Sequence, residues 1–425
     1  MYRPRSLLLP APAEPFPGWV NVHEIPGALG GLLLVLYRAA HLWAGTHPAE
    51  RAELFAGGDS ADLVAELERV TILEALAEPL REIAAVRSAP GEVRAPVLSR
   101  ACDAVSAWAE AEGHAGVAIA WARVAAVAYP ANVAAAYRVG VLARRRVDYP
   151  TAEAWLQHAG GLGRKHGQWY LFARAMNSLG NLHAQRGDFS LARTTLSKAL
   201  QAAQRPRGRI QGGRKRLRLL EGDILHDLMT VAVYTEDYSG AERFAGEAFE
   251  RMRAGHRRLP RLAHDVAGLW MERGHFGRAL QVFEAVLPHF QRPVDRILVG
   301  CNLARCAGAE GQAGAYTRVA SELWDLIESA GTGGVPAGVF TNLARGAAGL
   351  RRWQDAKEAA TLAGEAATVR EEADQAAVIP ALLESIRLHR YLDTPPEPAN
   401  PQEERTARSL ASGLVESLTA MQAGA

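Results

Sequence analysis

The sequence has few cysteines, no excess of either charge and no long apolar run. Its 425 residues include only Cys102, Cys301 and Cys306, too few for a disulfide framework, and this indicates a reducing, cytoplasmic location. The 48 basic and 46 acidic side chains give a net charge of +2, which disfavours the strongly basic class of nucleic-acid-binding proteins. Because 48% of the residues are apolar, we expect a folded, soluble protein.

Long hydrophobic segments are also missing. The most apolar stretch runs from Gly27 to Leu36, and Arg38 and His41 interrupt it before the roughly 20 residues that a membrane helix needs. Prolines between residues 10 and 17 keep the N-terminal apolar run shorter than a signal peptide. We therefore expect neither a membrane span nor an export signal.

Common active-site motifs do not occur. The 13 histidines include no pair at i, i+3 or i, i+4, and there is no Cys-x-x-Cys pair. The glycine-rich segments 160–163 and 331–334 lack the spacing of phosphate-binding loops and are expected to be turns between helices. We therefore expect no metal, no cofactor and no enzymatic activity.

Alanine, leucine and arginine dominate the chain, and helical periodicity replaces the alternation typical of strands. Apolar-periodic stretches of 12 to 18 residues, separated by short turns, continue from Gly27 to Tyr391. The pattern predicts an all-α protein and indicates an internal repeat.

The clearest repeating unit has the elements Leu179-Gly180, Gly187-Asp188-Phe189, Ala192, Leu196 and Ala199. Gly180 allows two helices of a hairpin to approach closely, and Gly187-Asp188 is expected to end the first helix and cap the second. This spacing resembles the tetratricopeptide repeat (TPR), a helix-turn-helix unit of 34 residues.

Seven units follow this frame. Their anchor residues after the turn are Ala118, Ala152, Ala192, Ala241, Ala279, Tyr316 and Ala356, at intervals of 34, 40, 49, 38, 37 and 40 residues. The resemblance covers roughly Ser99 to Glu371, and the units are similar to those of the bacterial type of the family. It implies a right-handed α-α superhelix, a TPR-like solenoid, with helical caps at both ends.

The expected organisation has six parts. In chain order they are an irregular Pro-rich segment (1–26), an N-terminal helical cap (27–96), about seven hairpins (97–372), a capping helix (373–392), a Pro-rich linker (393–402) and a terminal amphipathic helix (403–425). One helix of the N-terminal cap is expected to start at Asp59-Ser60. The terminal helix could fold back or bind elsewhere.

The resemblance implies a binding protein, because the first helices of stacked hairpins line a concave groove. The residues that the repeat frame places in this groove are Tyr137, Arg144, Asn177, Asn181, Gln185, His226, Thr230, Tyr234, His264, Arg305 and Arg345. Amides can bond a peptide backbone and arginines can bind carboxylates, so we expect a peptide or acidic-segment partner. A solvated polar face explains Asn177 and Asn181 equally well, and Arg144 also suits a helix C-terminus.

One segment departs from the charge balance. Arginines and a lysine without intervening acidic residues fall in the longest interval between anchors: Arg205, Arg207, Arg209, Arg214, Lys215, Arg216 and Arg218. This basic segment is either a partner contact or a solvated loop. Two functions therefore remain: an adaptor or scaffold that binds a partner peptide, and a peptide-sensing regulator that acts on nucleic acid through the basic segment.

Overall fold

The computed structural model describes residues 23–55, 74–205, 213–253, 255–330, 334–391, 393 and 400–423. Every regular element in these ranges is a helix, which confirms the predicted all-α class and the solenoid of helical hairpins. The chain forms two compact units, Met1–Gln211 (unit 1) and Gly212–Ala425 (unit 2), which are described separately.

In the residues that the structure describes, unit 1 has two N-terminal α-helices and three hairpins. The N-terminal elements are α1 (Ala28–Gly45), a 3-10 helix (Pro48–Glu53) and α2 (Glu74–Ser88). The hairpins are α3 (Ala95–Ala111) with α4 (Ala115–Ala128), α5 (Val133–Arg145) with α6 (Tyr149–Lys165), and α7 (Trp169–Gln185) with α8 (Phe189–Gln204). The helix predicted to start at Asp59-Ser60 lies largely outside the described residues, as does most of segment 1–26.

Helix α1 belongs to the core of unit 1. By length and composition alone it could cross a membrane, but here it packs against α2 and α4. Tyr37 and Trp43 are almost completely buried, and the Trp43 indole donates a hydrogen bond of 2.8 Å to the Pro90 carbonyl. The Tyr37 ring meets Trp121 of α4 edge-on at 5.5 Å. These contacts account for the apolar sequence of α1 within the protein itself.

The described part of unit 2 has four hairpins and two further helices. The hairpins are α9 (Gly213–Tyr234) with α10 (Tyr238–Met252), α11 (Leu259–Glu272) with α12 (Phe276–Val286), α13 (Pro293–Ala309) with α14 (Ala313–Ala330), and α15 (Ala337–Gly349) with α16 (Trp353–Val369). Helix α17 (Ala373–Arg387) packs on α16, within the segment predicted to be a capping helix. Helix α18 (Pro401–Ala423) ends the described chain.

The turns within the hairpins share one geometry. The second residue after the first helix is left-handed, with φ of 80° at Gly187 and 63° at Val147. The next amide closes the turn, as Asp188 N bonds the His183 carbonyl at 2.9 Å. Asp188 holds the N-cap position of the second helix, as predicted, but its carboxylate makes no capping bond and instead lies 3.7 Å from Arg186. Asp148, at the same position one hairpin earlier, does cap its helix.

Glycines allow the close helix contacts that the repeat pattern predicts. A Cβ atom at Gly180 would lie 2.6 Å from Cγ of Leu196, so a larger residue would separate the two helices of that hairpin. Between hairpins of unit 2, α13 and α15 touch through Gly308 and Gly346, and a Cβ atom on Gly308 would overlap the Gly346 carbonyl oxygen. The first helices of neighbouring hairpins therefore pack at backbone contact here.

The C-terminal helix folds back onto unit 2. Helix α18 packs mainly on α12 and also contacts α10, both of them second helices of their hairpins, and it makes a smaller contact with the first helix α11. Glu404 accepts a 2.8 Å bond from Arg278, and Leu414 and Leu418 are fully buried. The helix therefore covers second helices of unit 2 and does not extend away from the unit.

Candidate functional site

Polar side chains from the first helices of unit 2 form a continuous hydrogen-bonded chain, which we call the polar ladder. Helix α9 contributes one residue, and α11, α13 and α15 contribute two each. Its members are His226, His264, Asp265, Asn302, Arg305, Asn342 and Arg345, together with Asp393 from the segment that follows α17. The ladder thus joins the first helices of all four hairpins in the unit.

One end of the ladder is a carboxylate between two histidines. Asp265 Oδ2 lies 2.8 Å from Nε2 of His226, and its Oδ1 lies 2.9 Å from Nδ1 of His264. Burial alone would raise the pKa of Asp265, but the hydrogen bonds from the two histidines outweigh it and hold that pKa well below its usual range. Asp265 is therefore a fixed negative charge at neutral pH.

The middle of the ladder has a single donor direction. Arg305 donates to the Asn342 side-chain oxygen at 3.4 Å, and Asn342 donates to the Asn302 oxygen at 2.8 Å. The Asn302 amide lies 3.4 Å from His264 Nε2, so the ring accepts there while its Nδ1 donates to Asp265. The chain of donors therefore runs from a guanidinium to a carboxylate. Cys301 also donates to the Asn302 oxygen and accepts from the Asn342 amide, so Asn302 keeps one N–H and Asn342 keeps one oxygen lone pair for another group.

The other end of the ladder is a carboxylate held by two arginines. Arg305 binds Asp393 through two nitrogens, Nη2 to Oδ1 at 2.9 Å and Nε to Oδ2 at 3.3 Å. Arg345 Nη1 donates to the same Oδ1 at 2.6 Å. The side chains of Arg305 and Asp393 are 7% and 2% exposed, so this two-nitrogen ion pair is shielded from water. Shielding strengthens the attraction between the two charges.

Two further groups complete this end. The Tyr391 hydroxyl donates to Asp393 Oδ2 at 2.7 Å, and Glu272 of α11 accepts a 2.7 Å bond from Arg305. Burial would raise the pKa of Asp393, but Arg305, Tyr391 and Arg345 together lower it. Burial would lower the pKa of Arg305, but Glu272 and Asp393 raise it. Asp393 and Arg305 therefore keep their charges at neutral pH.

The ladder contains four of the predicted groove residues: His226, His264, Arg305 and Arg345. Two others in unit 2 lie outside it. The Thr230 hydroxyl donates to the backbone carbonyl of His226 at 3.2 Å, and the Tyr234 side chain is 65% exposed at the end of α9. These two side chains take no part in the ladder's hydrogen bonds.

The predicted groove residues of unit 1 lie on α5 and α7. Tyr137 approaches Ser178 with its hydroxyl at 3.3 Å, and Arg174 stacks over the Tyr137 ring at 4.5 Å. Asn177 and Asn181 are half-buried on the same helix as Arg174. Arg144 is half-buried near the end of α5, and Gln185 is exposed at the end of α7. The clearest arrangement in this unit is therefore the aromatic-arginine stack.

The described part of the basic segment is bonded locally. Arg205 stacks on the Trp169 ring at 4.1 Å, and Arg218 donates to the Glu250 carbonyl at 2.8 Å. Lys215 and Arg216 are exposed. The remaining predicted contacts, Arg207, Arg209 and the side chain of Arg214, lie outside the described residues.

Sequence reasoning missed Asp265, Asn302, Asn342 and Asp393. A signal for the two asparagines is present, because Asn-Leu-Ala-Arg occurs at residues 302–305 and again at 342–345. Residues three apart share a helix face, so each copy presents an amide and a guanidinium together. Asp393 gave no comparable signal, because it stands next to Thr394-Pro395-Pro396 in what reads as a linker. Among the described residues, no group of three or more His, Cys, Asp or Glu side chains is arranged to hold a metal.

Comparisons with known proteins give structural similarity only. Neither a protein-family model nor a curated protein sequence matches the chain. One similar structure is BtubC (BKLC) from P. vanneervenii, 16% identical over 54% of this chain and 91% of that chain, with a TM-score of 0.42. A Rap protein complexed with competence and sporulation factor is 11% identical over 83% of this chain and 98% of that chain, with a TM-score of 0.43.

A third similar structure is the TPR2AB domain of yeast Sti1 in a complex named for pHSP90. It is 13% identical over 68% of this chain and 98% of that chain, with a TM-score of 0.28. Because all three TM-scores are low, the classification rests on the hairpins themselves. Their paired helices, shared turns and glycine contacts define a TPR-like helical-repeat protein.

Proposed function

We propose that the chain is a non-enzymatic interaction protein, an adaptor or scaffold, and that its polar ladder binds an acidic peptide segment of a partner protein. One observation carries this proposal: Arg305 and Arg345, from neighbouring repeats, both bind the same carboxylate. Two guanidinium groups that converge on one carboxylate provide both charge and geometric selectivity for Asp or Glu.

The rest of the ladder suits a peptide that carries such a side chain. Asn302 retains one N–H and Asn342 one oxygen lone pair, both on half-buried amides, and these can bond a carbonyl and an N–H group of an extended backbone. Asp265, further along the ladder, is a fixed negative charge. An acidic side chain therefore fits best near Arg345, and a neutral or basic one fits better near Asp265.

The setting of this function is also part of the proposal. We propose that the chain is a cytoplasmic bacterial protein that has neither a membrane span nor a cofactor. Nucleic acid is the second partner class, and the oligomeric state is open. Arg205 stacks on Trp169 and Arg218 bonds the Glu250 carbonyl, which favours a structural role for these two residues of the segment.

The test is a binding measurement on the full-length chain with two matched peptide sets. One set consists of acetylated, amidated dodecapeptides with Asp and Glu at varied positions, and the other replaces each acid by Asn or Gln. We expect binding by members of the acidic set, and at least tenfold weaker binding after Arg345→Ala, because a charge-assisted bond is lost.

Arg387→Ala is the matched control, because Arg387 is an exposed arginine on α17 that pairs with Glu384. This variant loses the same charge but no ladder contact, and it should bind like the wild type. Equal binding of the amide set, or equal weakening by both variants, would overturn the proposal. Binding of double-stranded DNA that is lost on replacing Lys215 and Arg216 by Ala would favour the nucleic-acid regulator.

A further inference from the structure

The carboxylate that Arg305 and Arg345 bind belongs to the chain itself. Asp393 lies in the connection between α17 and α18 and binds the two arginines from there. Neither α17 nor α18 contributes a residue to the ladder as defined above. Its carboxylate accepts bonds from Arg305, Arg345 and Tyr391, so both oxygens are fully used. An acidic side chain from another peptide would need the same donors.

We propose that Asp393 is an internal occupant of the carboxylate-binding subsite formed by Arg305, Asn342 and Arg345, and that a carboxylate from another peptide binds there only by displacing it. The inference rests on the proposed function and adds its regulation. It makes the free chain a self-occupied form whose affinity for acidic partners is set by competition within the molecule.

The charges show why the subsite accepts a carboxylate. Arg305 and Arg345 bring two positive charges, and Asp393 and Glu272 bring two negative ones. Glu272 is 64% exposed, whereas Asp393 is 2% exposed and makes the inner contact. When Asp393 leaves, the buried Arg305 keeps the exposed Glu272 as its charged partner, so an incoming carboxylate regains a strong, shielded ion pair.

The attachment of Asp393 also fits an exchangeable occupant. In the described part of the chain, the hydrogen bonds of Asp393 all involve its side-chain oxygens. Residues 388–400 connect the end of α17 to the start of α18, so Asp393 can leave without displacing either helix. In the described residues, the backbone is held at Arg390, whose N–H donates to the Ser385 carbonyl at 2.8 Å and whose carbonyl accepts a 2.6 Å bond from the Ser385 hydroxyl.

A tethered competitor acts at a high effective concentration, in the range of about 1 mM for a short connection. The apparent affinity of an external peptide equals its intrinsic affinity multiplied by the fraction of chains in which the subsite is free. Removal of the Asp393 charge should therefore tighten the binding of an external carboxylate at least tenfold. The same change elsewhere on unit 2 should leave the affinity nearly unchanged.

The experiment compares full-length wild type with Asp393→Asn, which keeps the size of the side chain and removes its charge. The probe is a fluorescein-labelled peptide with the sequence of residues 388–400, and a second peptide has Asn in place of Asp393. Glu384→Gln is the matched control, because Glu384 is an exposed acid on α17 that pairs with Arg387 and makes no ladder contact in the described chain. Fluorescence anisotropy gives the dissociation constants.

We expect Asp393→Asn to bind the Asp-containing peptide at least tenfold more tightly than the wild type or Glu384→Gln, and to bind the Asn-containing peptide at least tenfold more weakly. Equal affinity of the wild type and Asp393→Asn, or equal affinity for both peptides, overturns the inference. Because this probe is the chain's own sequence, the result is separate from the dodecapeptide test. If Asp393→Asn binds the probe but no acidic dodecapeptide binds either chain, the inference about the subsite stands and the proposed function is overturned.

A measurement on the wild type covers the case in which Asp393→Asn does not fold. Hydrogen exchange is followed at the amides of residues 389–391 with and without a saturating Asp-containing peptide. Displacement of Asp393 should speed exchange there at least fivefold, while the amides of α15 exchange no faster. Unchanged exchange at residues 389–391 in the saturated protein contradicts displacement.

Discussion

Asn342 donates a hydrogen bond of 2.8 Å to Asn302, which holds the equivalent position one hairpin earlier, 40 residues back in the chain. Each asparagine is followed three residues later by an arginine, on the same helix face. The repeated Asn-Leu-Ala-Arg sequence therefore aligns two amides and two guanidinium groups, and the guanidinium groups converge on Asp393. Repetition of a local sequence has produced one composite site.

The close contact of α13 with α15 predicts a strong effect of a small substitution. Gly308→Ala places a methyl group against the Gly346 carbonyl oxygen, a backbone atom that cannot move independently. We expect a loss of about 1–3 kcal/mol in the free energy of unfolding, measured by urea denaturation of the full chain.

Gly246→Ala on α10 is the control for this substitution, because a Cβ atom there meets nothing within 4 Å. It should leave the stability unchanged or raise it by about 0.5–1 kcal/mol, since alanine is the better helix former. Equal effects of Gly308→Ala and Gly246→Ala would contradict the close packing of α13 and α15.

The turn at Val147 predicts a stabilising substitution. Val147 is a β-branched residue at φ of 63°, and its side chain is 66% exposed, so it gains little from packing. Val147→Gly removes the steric cost of the left-handed conformation, and we expect about 1 kcal/mol more stability in urea denaturation. Gly187→Ala, at the equivalent turn with φ of 80°, should change stability in the opposite direction. A destabilised Val147→Gly chain would refute this account of the turns.

The carboxylate between His226 and His264 predicts a dependence on acid pH. The pKa of Asp265 is lowered in the folded chain, so its contribution to stability is complete above its unfolded value of about 4 and is lost as the pH falls through lower values. At pH 7, Asp265→Asn should be less stable than the wild type by about 1–3 kcal/mol. This difference should shrink steadily below about pH 4.

The measurement is urea denaturation of both chains at several pH values between 7 and 3. Other acidic groups contribute to both chains alike, so only the difference between the chains reports on Asp265. A difference that stays constant over this range would show that the histidines do not stabilise the Asp265 charge.

The fold could be predicted because its signals are local. Gly180 and Gly187 stand at spacings that a helical hairpin requires, and the structure has the close contact and the left-handed turn at these residues. The Asp188 carboxylate makes no capping bond for a local reason, since Arg186 two residues earlier competes for it. Asp148 has no such competitor among its contacts in the described chain and caps as expected.

The site could be predicted only in part, because its members come from distant segments. The repeat frame identifies Arg305 and Arg345 as residues of the first helices, but it does not reveal what they bind. Asp393 lies 88 residues from Arg305 in the chain, and the prolines after it read as a linker. Asp265 was overlooked in favour of its neighbour His264, although it forms the ladder's end between two histidines. Such pairings depend on tertiary packing, which a linear pattern does not encode.

The central claim is that an acidic partner segment binds along the first helices of unit 2. The most direct test is photo-crosslinking of the full chain to its best-binding acidic dodecapeptide, which carries a benzophenone next to the acidic residue. The account predicts crosslinks on α13 and α15 near Arg305 and Arg345, and their loss when unlabelled peptide is added in excess. Crosslinks confined to the second helices α10, α12, α14 and α16, or to the basic segment, would contradict it.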